Sequence, residues 1–154
     1  MKKLIAVLLT MNLISLPVAA EDYAEGEVTS EQIMLFTKFE KHKDDVNYSS
    51  EQTAFLQSIS QPTLVKIFFG QWCHDSQREV PRLIQLFEKA NNDNIEVVYY
   101  GLDTNKSDEA GLAEANEIKK TPTIIIEQNG QEIGRILEFP AADWPTDIEA
   151  LFSQ

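Results

Sequence analysis

The side chains that could do chemistry are concentrated in one stretch, Phe68-Phe69-Gly70-Gln71-Trp72-Cys73-His74-Asp75-Ser76, which holds the only cysteine of the 154 residues. An apolar run leads into it and an amphipathic pattern leads out. A strand is therefore expected to stop at a tight turn and restart as a helix, with Cys73 at the helix start. Unpaired N–H groups and the helix dipole favour a thiolate there, and a thiolate is the nucleophile of disulfide exchange. His74 could support that ion as an imidazolium or hydrogen-bond it as neutral imidazole; the alternative is a solvent-facing residue of the first turn. Asp75 opposes a thiolate by its charge and otherwise reads as a first-turn acid complementing the dipole. Ser76 could donate a hydrogen bond to the Cys73 thiolate. One cysteine makes no internal disulfide, so no disulfide framework supports the fold, and the thiol is either buried and inert or exposed and reactive toward another molecule.

The elements that must position this stretch follow from the hydrophobic pattern. Thr63 to Phe69 reads as a buried strand. Val80, Leu83, Ile84 and Phe87 mark one face of the helix that follows Cys73, with Pro81 inside it. Asn91-Asn92-Asp93-Asn94 is a turn cluster. Ile95 to Leu102 is a second strand. Ser107 to about Ile118 is a short helix, with Leu112, Ala115 and Ile118 facing inward. After Thr121-Pro122, Thr123 to Glu127 is a third strand. Asn129-Gly130 is a two-residue hairpin signal leading into Glu132 to Leu137.

Upstream, Glu21 to Glu27 is expected as a flexible entry. Two capping boxes, Thr29/Gln32 and Ser49/Gln52, predict one helix to about His42 and another ending before Gln61-Pro62. A third box at Thr146/Glu149 starts the C-terminal helix, and Trp144-Pro145 reads as packing near its cap. The two central βα units predict parallel strands with a right-handed crossover, and the hairpin adds an antiparallel edge.

Lys2-Lys3, the apolar Leu4 to Leu16 and the small residues Val18-Ala19-Ala20 read as a signal peptide over residues 1–20, with a periplasmic or secreted product. Cleavage after Ala20 would leave 134 residues and take the formal charge from −12 to −14, because Lys2 and Lys3 are lost. So acidic a product is not expected to bind nucleic acid or anionic membranes by electrostatics. The scattered carboxylates lack calcium-loop spacing. His42 and Cys73 fall short of a zinc set. No metal or other cofactor is expected.

Three local features give the chain from Thr63 to Leu137 its resemblance to the thioredoxin superfamily. They are Phe68-Phe69-Gly70-Gln71-Trp72-Cys73 with Pro81 eight residues after the cysteine, Lys120-Thr121-Pro122-Thr123 before a strand, and Asn129-Gly130 seven residues past Pro122. The resemblance implies an α/β thioredoxin-like fold over 61–154, a central mixed sheet flanked by helices; residues 21–60 do not match the family's usual opening and read as an N-terminal helical segment. It implies a cis-proline loop at Thr121-Pro122 beside Cys73, with Thr121 pairing to an extended partner like an added strand, and Trp72 as a flat apolar wall for that partner. The chain departs from the family where it matters. Ser76 replaces the second cysteine of Cys-x-x-Cys, and Ile67 stands where many thioredoxins carry a buried acid.

Nucleophilic attack therefore survives in principle, while release of the partner needs an outside thiol. The first functional expectation is an exported monothiol protein forming mixed disulfides through Cys73 with exported thiol- or disulfide-containing proteins or small thiols. It would act in exchange, isomerisation or thiol protection. The alternative is a non-catalytic thioredoxin-fold binding module. A third reading, cluster binding in the manner of monothiol glutaredoxins, is disfavoured by Trp72 and by the export signal.

Overall fold

The computed structural model describes residues 24–153; the signal-peptide reading of residues 1–20 lies outside them. In chain order the elements are β1 (Gly26–Val28), α1 (Ser30–Met34), α2 (Thr37–Glu40), α3 (Ser50–Ser58), β2 (Thr63–Phe69), α4 (His74–Ala90), β3 (Ile95–Gly101), α5 (Leu112–Ala115), β4 (Thr123–Gln128), β5 (Gln131–Leu137) and α6 (Trp144–Leu151). They form one five-stranded mixed sheet in the order β1-β3-β2-β4-β5. β2 and β3 are parallel, joined through α4. β4 runs antiparallel to β2, and β5 antiparallel to β4. Asn129 and Gly130 both take positive φ, 53° and 74°, which matches the twist of a two-residue hairpin.

The apolar run of β2 resolves into two faces. Val65, Ile67 and Phe69 point into the larger core, together with Ile33, Phe39, Leu56, Leu83, Leu86, Ile124, Ile126 and Ile148. Phe68 enters a smaller cluster with Leu102, Ala113, Ile118 and Ile125 on the other face. Lys66 shares that second face, where Glu127 at 2.5 Å and Asn116 at 3.0 Å hold its ammonium. A strand with one side nearly dry and the other half-covered thus looks almost continuously apolar in sequence.

Four local expectations are corrected. First, Gly26 and Glu27, expected in the flexible entry over Glu21 to Glu27, join Val28 in pairing antiparallel with Tyr99–Gly101. The close approach depends on Gly101, because a Cβ there would lie 1.7 Å from the Ala24 carbonyl oxygen. Second, the helix expected from Thr29 to His42 is broken at Phe36, whose backbone is extended (ψ 123°). Ile33 and Phe39 are six residues apart and would lie on different faces of a continuous helix. The break lets both reach full burial, and Phe39 meets Phe69 edge-on at 5.6 Å.

Third, the helix expected over 107–118 shrinks to Leu112–Ala115. The Asp108 carboxylate accepts from the Leu112 and Ala113 N–H groups and Gly111 is left-handed, so local side-chain bonds displace helix before residue 112. Ala113 turns inward and Ala115 is exposed. Fourth, α6 is capped by Asp143 rather than Thr146: Asp143 Oδ1 accepts from the Thr146 N–H at 2.8 Å, and Pro145 occupies the first turn. Asp143 lies three residues before Thr146, and proline is favoured just inside a helix start. The boxes at Thr29/Gln32 and Ser49/Gln52 form as expected.

Candidate active site

β2 ends at Phe69 and the chain turns through Gly70–Cys73, closed by the Cys73 N–H donating to Gly70 O at 2.9 Å. Cys73 is the N-cap of α4, extended at φ −84°, ψ 123°, and its side chain makes no capping bond. The helix therefore starts with N–H groups that no cap side chain satisfies, beside a half-buried thiol. Two buried glutamines brace the turn from behind. Gln77 Nε2 donates to Gln71 O at 2.7 Å, and Gln71 Oε1 accepts from the Ala24 N–H at 2.8 Å. The N-terminal segment is thereby tied directly to the turn that presents Cys73. Glutamines at these positions carry no sequence signal that marks them as buried.

The Thr121-Pro122 peptide is cis, and both residues are buried. Cys73 Sγ donates to Thr121 O at 3.1 Å, so the thiol and the residue before the proline are in contact. Trp72 lies between the turn and the end of β3. Its Nε1–H donates to Leu102 O at 3.1 Å, and its ring covers Gly70 so closely that a Cβ there would be 2.6 Å from it. The structure thus brings together Trp72, Cys73, Thr121 and Pro122.

The other two predicted residues, Ser76 and His74, make no hydrogen bond to the thiol among the described residues. Ser76 is fully buried, and its Oγ accepts from the Gly70 N–H at 3.1 Å. Among the described residues, no hydrogen bond joins it to Sγ. The hydroxyl is turned toward the strand end, where the turn would otherwise leave a backbone donor unmet, and it secures the turn instead of the thiol. His74 is exposed and likewise makes no hydrogen bond among the described residues.

Asp75 is paired with Arg78 at 2.8 Å. Arg78 and Arg82 are half-buried and converge on Glu79, a carboxylate only 2% exposed. Glu79 Oε1 accepts from Arg78 Nε at 2.5 Å and Arg82 at 3.3 Å, and Oε2 accepts from Trp144 Nε1 at 2.8 Å. The cluster pins α4 to α6. It also lines a pocket of about 450 Å³ with Tyr48, Phe139 and Trp144. The burial of Glu79 carries no sequence signal, because a single acid on an amphipathic helix looks like a surface residue.

Burial pushes the Tyr48 phenol up to about 12; Glu79 and Asp143 add to the shift, while Arg82 opposes it. A folded value above the usual 10.0 means that the native state holds this proton more tightly than the unfolded chain. The resulting stability is complete below pH about 10 and is lost as pH rises toward about 12. Urea unfolding across this range should show a steeper alkaline loss in the wild type than in Tyr48→Phe. Identical slopes would contradict it.

Comparison with known proteins agrees with this geometry. A family model described as thioredoxin matches residues 23–145. The chain belongs to the thioredoxin family. Among solved structures, it is similar to a protein of unknown function from Pseudomonas aeruginosa, at 20% identity over 82% of this chain and 74% of that one (TM-score 0.51). An HIV epitope-scaffold is similar at 21% identity over 81% and 76% (TM-score 0.50). Thioredoxin-2, described as a component of malaria parasite protein secretion machinery, is similar at 25% identity over 62% and 85% (TM-score 0.48). The first two likenesses show the fold. No curated protein matches the chain.

Proposed function

We propose that this chain is an exported monothiol member of the thioredoxin family that forms mixed disulfides through Cys73, in thiol exchange or thiol protection, in the periplasm or outside the cell. The observation that carries the reading is the 3.1 Å contact of Cys73 Sγ with Thr121 O, at a helix start and beside the cis-proline loop. Sγ donates to Thr121 O at the start of α4, where no cap side chain meets the first N–H groups. An extended partner whose backbone N–H takes over Thr121 O would release Sγ from that bond for attack.

The attack forms a Cys73–S–S–partner bond and breaks the partner's disulfide. The departing sulfur leaves as a thiolate and takes a proton from solvent. Ser76 has no sulfur with which to resolve the product, and Ile67, fully buried in the core, has no carboxyl group to accept a proton. An outside thiol must finish the cycle. The partners are exported thiol- or disulfide-containing proteins or small thiols.

The reading is tested by incubating the purified chain with a chromophoric disulfide. One equivalent of leaving group should be released, and none from Cys73→Ser. Exchange no faster than that of free cysteine would overturn it. A second reading, a non-catalytic binding module, is favoured by the same bond in the opposite sense, since Sγ is engaged with Thr121 O rather than open to a partner. Partner capture that persists undiminished in Cys73→Ser would establish it.

A further inference from the structure

The inference concerns Lys106, and it rests on Cys73 being a disulfide-exchange nucleophile. Lys106 lies in a tight loop after β3, built around Asp103. The Asp103 carboxylate accepts from the N–H groups of Asn105 and Ser107 at 2.8 and 2.9 Å, and from Ser107 Oγ at 3.0 Å. The Lys106 N–H closes the loop onto Asp103 O at 2.9 Å. Lys106 itself is left-handed, φ 61°, a conformation that non-glycine residues rarely adopt. Its ammonium sits over the Trp72 ring, 5.6 Å from the centroid, within the range of a cation–π contact.

Two other cationic side chains around the site are committed to acids: Arg78 to Asp75 and Glu79, and Lys120 to Glu138. Among the described residues, Lys106 Nζ has no carboxylate partner. It is thus the uncommitted positive charge over the indole next to the nucleophile, in a chain whose formal charge is −12. That overall charge repels anions, and only a local cation offsets the repulsion where the partner arrives. Lys106 also occupies the Trp72 face that would otherwise offer a bare apolar wall, so that face offers a partner a cation.

We infer that Lys106 is a specificity-determining residue: it selects sulfur compounds carrying a carboxylate close to the reacting sulfur. The carboxylate engages the Lys106 ammonium above Trp72 while Sγ attacks the disulfide. The Cys73–S bond forms, the partner's S–S bond breaks, and the outgoing thiolate takes a proton from solvent. Such a partner is a small acidic thiol in disulfide form or an acidic segment flanking a cysteine, and both present the same carboxylate.

The experiment compares exchange rates of the full chain with three small disulfides: an aromatic disulfide bearing carboxylates, neutral dipyridyl disulfide and cationic cystamine, each normalised to free cysteine. A fourth arm uses peptide disulfides with Glu or Lys beside the cysteine, which separates the small and the peptide source. The normalised rate with the carboxylate reagent should exceed that with cystamine. Lys106→Gln should lower the carboxylate rate about three- to tenfold and leave the dipyridyl rate unchanged, and Lys106→Arg should restore it. Lys106→Asn, which tolerates the left-handed backbone, serves if the Gln variant does not fold. Raising salt should erase the wild-type preference. An unchanged rate ratio in the variants, with exchange intact, overturns this inference alone. Exchange with none of the reagents beyond the free-thiol rate overturns both it and the nucleophile reading beneath it.

Discussion

Replacing Ser76 with cysteine should convert a chain that holds its partner into one that lets go. In the wild type the mixed disulfide on Cys73 has no internal attacker, because the side chain three residues on is a hydroxyl, fully buried and accepting from the Gly70 N–H. A thiol at that position sits in the first turn of α4, one helical turn from the N-cap sulfur. Its attack on the bound sulfur is intramolecular, so release no longer depends on the concentration of an outside thiol. Intramolecular reactions in good geometry gain effective molarities far above millimolar thiol. Release of a chromophoric partner from the preformed adduct should accelerate by on the order of 10²-fold or more over wild type at equal external thiol. Turnover of a protein disulfide such as insulin's should appear with it. Release at the wild-type rate would mean that the site lacks more than a second sulfur.

Removing the buried carboxylate at position 79 should be the most damaging change outside the hydrophobic core. Glu79→Ala leaves Trp144 Nε1 without an acceptor in a buried site, and strips Arg78 and Arg82 of their shared partner. A buried donor left unmet costs about 1–3 kcal/mol. Truncating one member of a buried ion cluster costs about 3–5 kcal/mol, and the lower end applies here because both arginines can partly rehydrate. The urea midpoint should therefore fall by the equivalent of about 3 kcal/mol. Glu79→Gln, which keeps an acceptor for the indole, should lose less than half of that. Equal losses in the two variants, or a loss below about 0.5 kcal/mol in the alanine variant, would show that the cluster does not tie α4 to α6.

Much of this geometry was legible in the chain. The β2-turn-α4 junction announced itself by a change of period at Cys73, and the hairpin by Asn129-Gly130, because both signals are local. The elements that failed were those decided by particular contacts, some distant in sequence and some local. The break at Phe36 serves Ile33 and Phe39, whose burial depends on α4 and the sheet. β1 exists because Gly101, some 75 residues away in sequence, leaves room for the Ala24 carbonyl. The short α5 reflects the Asp108 carboxylate winning the helix N–H groups. At the site, the Cys73 thiol meets Thr121 O beside the cis Pro122, with Trp72 preceding it in the turn. Ser76 was placed correctly along the chain but not in orientation, since its partner is a backbone donor across the turn. The burial of Glu79 and the placement of Lys106 carry no sequence signal, because nothing in a lone Glu or Lys tells a solvated charge from one held against an indole.

The central claim is that Cys73 attacks and does not release. It is tested most directly by the intact mass of the chain recovered from its native cells and their culture fluid, with free thiols blocked at lysis. The prediction is a single covalent adduct per chain, joined through Cys73, removed by reductant, and absent from Cys73→Ser. A chain recovered wholly as the blocked free thiol, with no disulfide-linked partner, would contradict it.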